Sequence, residues 1–180
     1  ARDFGTWAQE SYNPGIRRLV RDWVDAMRRE GKVPRWYPFL DTAEDLLRGR
    51  TATALRCGSG HANYTILTDG SIAPCPCMVG MRPYYLGHIA TSDPLRLPIL
   101  EAPHLCEGCR IRSFCGGRCL YANVLQPWTR DQRRLVCGTV ENLHDAIVEA
   151  LPAIRSLLDD GAIALEDFRH DKYNGCEIIP

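Results

Sequence analysis

At 180 residues, with 45% hydrophobic and 24% charged content, the chain is long enough for one or two compact units with a real core, and wholesale disorder is excluded. No apolar run approaches the roughly 20 residues of a membrane-spanning helix, and 22 basic against 22 acidic residues leave no net charge to draw nucleic acid or a membrane surface. Ala1–Trp7 lacks the charged-then-apolar pattern of a secretory leader and has no initiator Met, so the chain is expected to start inside a longer protein.

In chain order, residues 13–31 predict a helix with Asn13 as N-cap, Pro14 at the first helical position and Gly31 just past the end. Ile16, Leu19, Val20, Trp23, Val24 and Met27 recur at helical spacing, which requires one buried face. Val33 to Leu40 is aromatic and broken by proline, and predicts an extended segment outside any sheet interior. A short helix is expected next, with Asp41 and Glu44 as a capping box and Leu46-Leu47 facing inward. Residues 64–68 and 71–73 flank Asp69-Gly70, the signal for a hairpin with a two-residue type I′ turn. From Pro74 to Arg134 there is little periodicity apart from a possible strand at 84–89, so something other than an apolar core must hold this stretch. From Thr139, Val140, Leu143, Ile147, Leu151, Ile154 and Leu158 predict a helix that Pro152 kinks or restarts and Gly161 ends. Residues 163–180 read as a tail.

The chain has nine cysteines, seven of them between Cys57 and Cys119 with tight, unequal spacings. That fits a disulfide framework poorly and a metal-ligating set well, in a reducing, cytoplasmic setting. Two groups stand out: Cys57-x12-Gly70-x4-Cys75, and Cys106-x2-Cys109-x5-Cys115-x3-Cys119, followed by Cys137. A two-residue gap lets both thiolates converge on one metal centre, and glycines at 108, 116 and 117 allow the backbone to wrap around it. Residues 56–138 carry nine Arg against five acids, whereas residues 139–180 carry three bases against nine. Positive charge would raise the potential of an anionic iron–sulfur cluster, although a genome biased toward Arg codons explains the excess equally well.

This cysteine pattern, with "RCGSGH", "TDGSIAPC" and "CGGRCLYAN" around it, resembles the SPASM region of radical S-adenosylmethionine enzymes over residues 57–137. The flavour of the whole chain, including the closing Asn174 to Pro180, is similar to archaeal peptide-modifying members. The resemblance implies two auxiliary [4Fe–4S] clusters. The first would use Cys57, Cys75 and Cys119, with Cys77 the nearest candidate for a fourth ligand, an open iron site the next and His61 a distant third. The second would use Cys106, Cys109, Cys115 and Cys137. S-adenosylmethionine and a third [4Fe–4S] cluster would belong to an N-terminal barrel of the same protein. The chain itself lacks the CX3CX2C loop: Ala122 stands where a third Cys would follow Cys115 and Cys119. It is therefore expected to be the C-terminal part of an enzyme acting on a peptide or protein, inactive by itself.

The resulting expectation is an α+β fold: the end of a partial (β/α) barrel over 1–50, a loop-rich SPASM domain with a β-hairpin over 51–138, and a C-terminal helix and tail over 139–180. The clusters would relay an electron or position the substrate. No catalytic residue is assigned, because the position after Cys75, where some family members carry an Asp, is Pro76. Tyr84, Tyr85, His88 and Asn123 are polar neighbours without a distinguishing signal, and the five histidines are expected to be structural. Trp36, Tyr37, Phe39 and the Tyr84-Tyr85 pair do not form a nucleic-acid-binding pattern. The rival class is a module held by structural zinc, with no redox role. Cys176 lies outside the pattern and reads as a partly buried thiol.

Overall fold

The structure, a computed structural model, describes residues 3–51, 55–100 and 106–169. It is a mixed fold of helices and one small antiparallel sheet, α+β in class. The described chain divides into two units, a helical one (3–51 with 128–169) and a cysteine-rich one (55–100 with 106–127). No helix among the described residues is long and apolar enough to cross a membrane.

The helical unit begins earlier than predicted. The Asp3 carboxylate accepts hydrogen bonds from Thr6 Oγ1 at 2.7 Å and the Gly5 N–H at 3.0 Å, which hold its carboxyl below the usual range. It caps α1 (Phe4–Trp7), which passes through a π turn (Ala8–Tyr12) into α2 (Asn13–Glu30). Asn13 is therefore not an N-cap: its N–H donates five residues back, to Ala8. The widened turn accommodates Pro14, which has no N–H and whose ring would otherwise press on the carbonyl four residues earlier. Gly31 ends α2 as expected, at φ 60°. Val20, Trp23, Val24 and Met27 are buried, but Leu19 is 45% exposed at the edge of the apolar stripe.

The extended segment is shorter than predicted, because Phe39 and Leu40 open α3 (Phe39–Leu47). Pro38 takes the N-cap position, so Asp41 and Glu44 lie inside the helix and form no capping box. Phe39, Leu40, Ala43, Leu46 and Leu47 keep a helical period, which buries the first three in the core and packs the half-buried Leu46 and Leu47 against it. The buried Glu44 is answered by Arg48 at 2.9 Å and Arg50 at 3.5 Å. No strand lies among the described residues of this unit.

The C-terminal helix, α6 (Arg130–Asp159), starts well before Thr139 because Thr129 and Gln132 make a reciprocal capping box, at 3.3 and 3.0 Å. Cys137 thus lies on this helix. Pro152 neither ends nor restarts it, since Leu151 and Ile154 on either side are buried. A 3-10 turn (Leu165–Phe168) then brings Phe168 edge-on to Trp23, with ring centroids 6.2 Å apart. Trp23 Nε1 donates to the Pro34 carbonyl at 2.8 Å, which satisfies the one polar group on a ring that is otherwise core.

In the cysteine-rich unit, β1 (Thr65–Ile66) pairs with β2 (Ser71–Ala73), and β2 with β3 (Gly87–His88), all antiparallel. The predicted hairpin is present with a different turn. Pairing of Ile66 with Ile72 and the Leu67 N–H to Ser71 carbonyl bond leave a three-residue loop, Thr68 to Gly70. The Gly70 N–H closes a turn onto the Leu67 carbonyl, and Gly70 sits at φ 86°. Asp69 is not left-handed, as a type I′ turn would require; the geometry is a turn followed by a glycine bulge. The His88 ring lies over Gly70, where a Cβ would come within 2.6 Å of it. His88 Nδ1 accepts from the Ala90 N–H, so Nε2 carries the proton and donates to the Asp69 carbonyl at 2.7 Å. The anticipated strand over 84–89 reduces to β3, because Arg82–Tyr84 form a 3-10 turn.

Gly60 is where three segments of this unit cross. Its N–H donates to the Pro74 carbonyl at 3.1 Å and its carbonyl accepts from Leu100 at 3.0 Å. A Cβ there would lie 3.1 Å from the Leu100 carbonyl and 3.2 Å from Leu120, at a backbone φ of 77°. Gly60→Ala is expected to cost about 2 kcal/mol or more from left-handed strain and crowding combined, read as a lower thermal unfolding midpoint of this unit.

Candidate metal centre

The first group of cysteines is assembled by short turns packed on one apolar cluster. Leu55, Cys75, Met78 and Leu120 are its buried members, and Cys57, Tyr84 and Tyr121 pack against it. Cys57 sits in a tight loop: the N–H groups of His61, Ala62 and Asn63 all donate to the Gly58 carbonyl, and Asn63 Nδ2 donates to the Cys57 carbonyl at 3.3 Å. The Cys57 thiol donates to Oγ of the buried Ser59 at 3.2 Å. The crossing at Gly60 fastens this loop beside Pro74, one residue before Cys75.

Cys75 leaves β2 in extended conformation and caps a single 3-10 turn, Pro76–Met78. Cys75 is buried, 8% exposed as a residue, whereas Cys77, on the turn it precedes, is exposed. Burial pushes the Cys75 thiol pKa up, and the neighbouring Cys77 and Cys119 thiols push it the same way; the N–H groups of Cys77 and Met78 oppose the shift by donating to its sulfur. The Cys77 and Cys119 thiols therefore lie close to that of Cys75. Cys119 is the N-cap residue of α5 (Leu120–Leu125), and the side-chain amide of the buried Asn123 ties down its carbonyl at 2.9 Å and that of Gly117 at 2.6 Å.

The second group lies on consecutive tight turns. The Cys109 N–H donates to the Cys106 carbonyl at 3.1 Å, Arg112 donates to the Cys109 carbonyl, and α4 (Arg112–Cys115) follows directly. Gly116, Gly117 and Arg118 are all left-handed, at φ 65°, 106° and 66°, so the chain reverses between Cys115 and Cys119. Glycine adopts this conformation freely, while Arg118 bears a strain of roughly 1–2 kcal/mol. Arg56, beside Cys57, places its guanidinium 4.9 Å over the Phe114 ring and donates to the Phe114 carbonyl at 3.3 Å, joining the loop of the first cysteine to that of Cys115. Cys137 belongs to the helical unit, and Cys176 lies outside the described residues.

The donor set fits an iron–sulfur cluster in kind: thiols from separate segments of the chain, an apolar surround, and an arginine next to Cys57 in sequence. Even so, no three His, Cys, Asp or Glu side chains among the described residues are arranged to hold one metal ion. The structure brings Cys57, Cys75, Cys77 and Cys119 into one neighbourhood without drawing them into a single ligand shell. His61 donates its N–H to Gly58, Tyr84 packs on the apolar cluster, and Tyr85 Oη accepts from the Gly80 N–H at 2.8 Å. Sequence reasoning missed Arg56 and Ser59, whose only signal is adjacency to Cys57, and gave Asn123 no role.

Comparison of the chain with protein-family models, with curated proteins and with solved structures gives no match.

Proposed function

We propose that this chain is the auxiliary-cluster part of a radical S-adenosylmethionine enzyme that modifies a peptide or protein. The neighbourhood shared by Cys57, Cys75 and Cys119 is the observation that carries the reading, because residues far apart in sequence meet there as the cysteine pattern requires. Cys57, Cys75 and Cys119 would hold one [4Fe–4S] cluster, with Cys77 its nearest fourth ligand. Cys106, Cys109 and Cys115 would hold a second, to which Cys137 is assigned by sequence pattern alone. When bound, such clusters supply one-electron transfer. The chain's own part would be to bury Cys75 in the apolar cluster and to carry the Arg56 charge beside Cys57 in sequence. On this reading α2 with its buried face is what remains of the end of a partial barrel. The rest of that barrel, with S-adenosylmethionine and its own cluster, belongs to the same protein.

A zinc-held module is the second reading, favoured by the spacing of Cys106, Cys109, Cys115 and Cys119, four thiols of the kind that suits a tetrahedral ion. Metal analysis separates the two. Anaerobic protein supplied with iron and sulfide is expected to bind about eight of each, brown and absorbing near 400 nm. One or two zincs with no sulfide would replace the enzymatic reading by the structural one.

A further inference from the structure

Of the three left-handed residues that reverse the chain before Cys119, only Arg118, at φ 66°, carries a side chain. The Cys119 N–H donates to the Gly117 carbonyl at 2.9 Å, two residues back. Arg118 is thus the central residue of a γ-turn of the rare, strained hand. Cys119 follows in extended conformation and α5 begins at the next residue. A strained turn of this kind persists only where the surrounding structure holds it.

Asn123 is placed to hold it. Its backbone N–H donates to the Cys119 carbonyl at 3.0 Å, and its side-chain amide reaches back to the same carbonyl at 2.9 Å and to the Gly117 carbonyl at 2.6 Å. Both targets are acceptors, so only the amide NH2 can face them, and one side chain bonds the carbonyls on both sides of Arg118. The base is firm: Asn123 is buried, and Leu120 of the same helix is buried with Cys75 in the apolar cluster. We infer that Asn123 is the positioning residue of Cys119: its amide clamps the strained turn at Arg118 and so fixes the backbone from which the Cys119 side chain departs. The clamp stands on these bonds alone, whereas its effect on metal binding rests on the proposed function. Aspartate at 123 keeps the shape of the side chain but sets a carboxylate against two carbonyls. Glycine at 118 adopts the turn without strain and removes the need for the clamp.

The test compares Asn123→Asp, Arg118→Gly and the double variant with the unaltered chain. Hydrogen exchange is followed at the Cys119 amide, the donor that closes the turn, and at the Leu67 amide of the hairpin in the same unit. The reduced proteins are also titrated with cobalt(II), read by sulfur-to-cobalt absorption, with Cys119→Ala as the reference. In Asn123→Asp the Cys119 amide is expected to exchange about tenfold faster or more while Leu67 is unchanged, and cobalt held through Cys119 to bind about tenfold more weakly. Adding Arg118→Gly is expected to restore most of both losses, a coupling that a residue merely filling space would not show. Unchanged exchange at Cys119 in Asn123→Asp would overturn the inference. So would an equal loss of protection at Leu67, which would make Asn123 a general support of the unit, or the absence of rescue by Arg118→Gly. If Cys119→Ala binds cobalt as tightly as the unaltered chain, Cys119 is no ligand and the proposed function loses it, while the exchange at Cys119 still decides the clamp.

Discussion

Cys109→Ala protein, reconstituted anaerobically, is expected to carry about four irons where the unaltered chain carries about eight, with its remaining cluster still reducible. The expectation follows from the turn that joins Cys106 to Cys109, closed by the Cys109 N–H on the Cys106 carbonyl with Gly108 left-handed between them, because a two-residue gap lets two thiolates reach one metal centre. Removing one member of such a pair leaves only Cys106 and Cys115 on a loop of reversals that has little else to hold it. Cys137→Ala should remove the same four irons, because the cysteine pattern places it in the same set. Retention of all eight in Cys137→Ala would detach α6 from the cluster set and leave the second group to find its fourth ligand elsewhere. Retention of all eight in Cys109→Ala would sink the assignment of the whole second group.

The helical unit and the cysteine-rich unit were legible to different degrees, for physical reasons. A 3.6-residue period marks α2 and α6 because each buries one face, and that signal survives even where the helix ends were misplaced. The ends failed wherever a tertiary or capping interaction overrode a local rule. Asp3 began the first helix early, the π turn accepted Pro14, and the Thr129 box began α6 ahead of its first buried residue, Val136. Asp69-Gly70 located the hairpin but not its loop length, since the same two residues serve a two-residue turn and a three-residue loop with a bulge. In the cysteine-rich unit, spacing named the cysteines and their order. The crossing at Gly60 and the Arg56 clasp on Phe114 join segments far apart in sequence, and no local pattern encodes them.

Metal removal should therefore act on one unit and spare the other. Among the described residues the apolar cluster of the cysteine-rich unit has four buried members, Leu55, Cys75, Met78 and Leu120, and one of those is itself a proposed ligand. The helical unit's cluster has fourteen among the described residues, with the Trp23 ring meeting those of both Phe39 and Phe168. Chain held in loops costs about 1–2 kcal/mol of backbone entropy per residue, and so small a cluster offsets little of it. The three short strands also leave most of the backbone outside any ladder. Cross-links through a metal centre would supply what is missing, since ligand binding to the folded form alone adds directly to its stability. On chelation, amide protons of Leu67, Gly70 and the turn at 61–63 are expected to lose protection against hydrogen exchange by about 100-fold or more, a change of roughly 2.7 kcal/mol in local opening. Amides of α2 and α6 should hold theirs. Equal protection of the hairpin before and after chelation would mean that Gly60, Arg56 and the small apolar cluster suffice to fold this unit, and that any metal there serves chemistry alone.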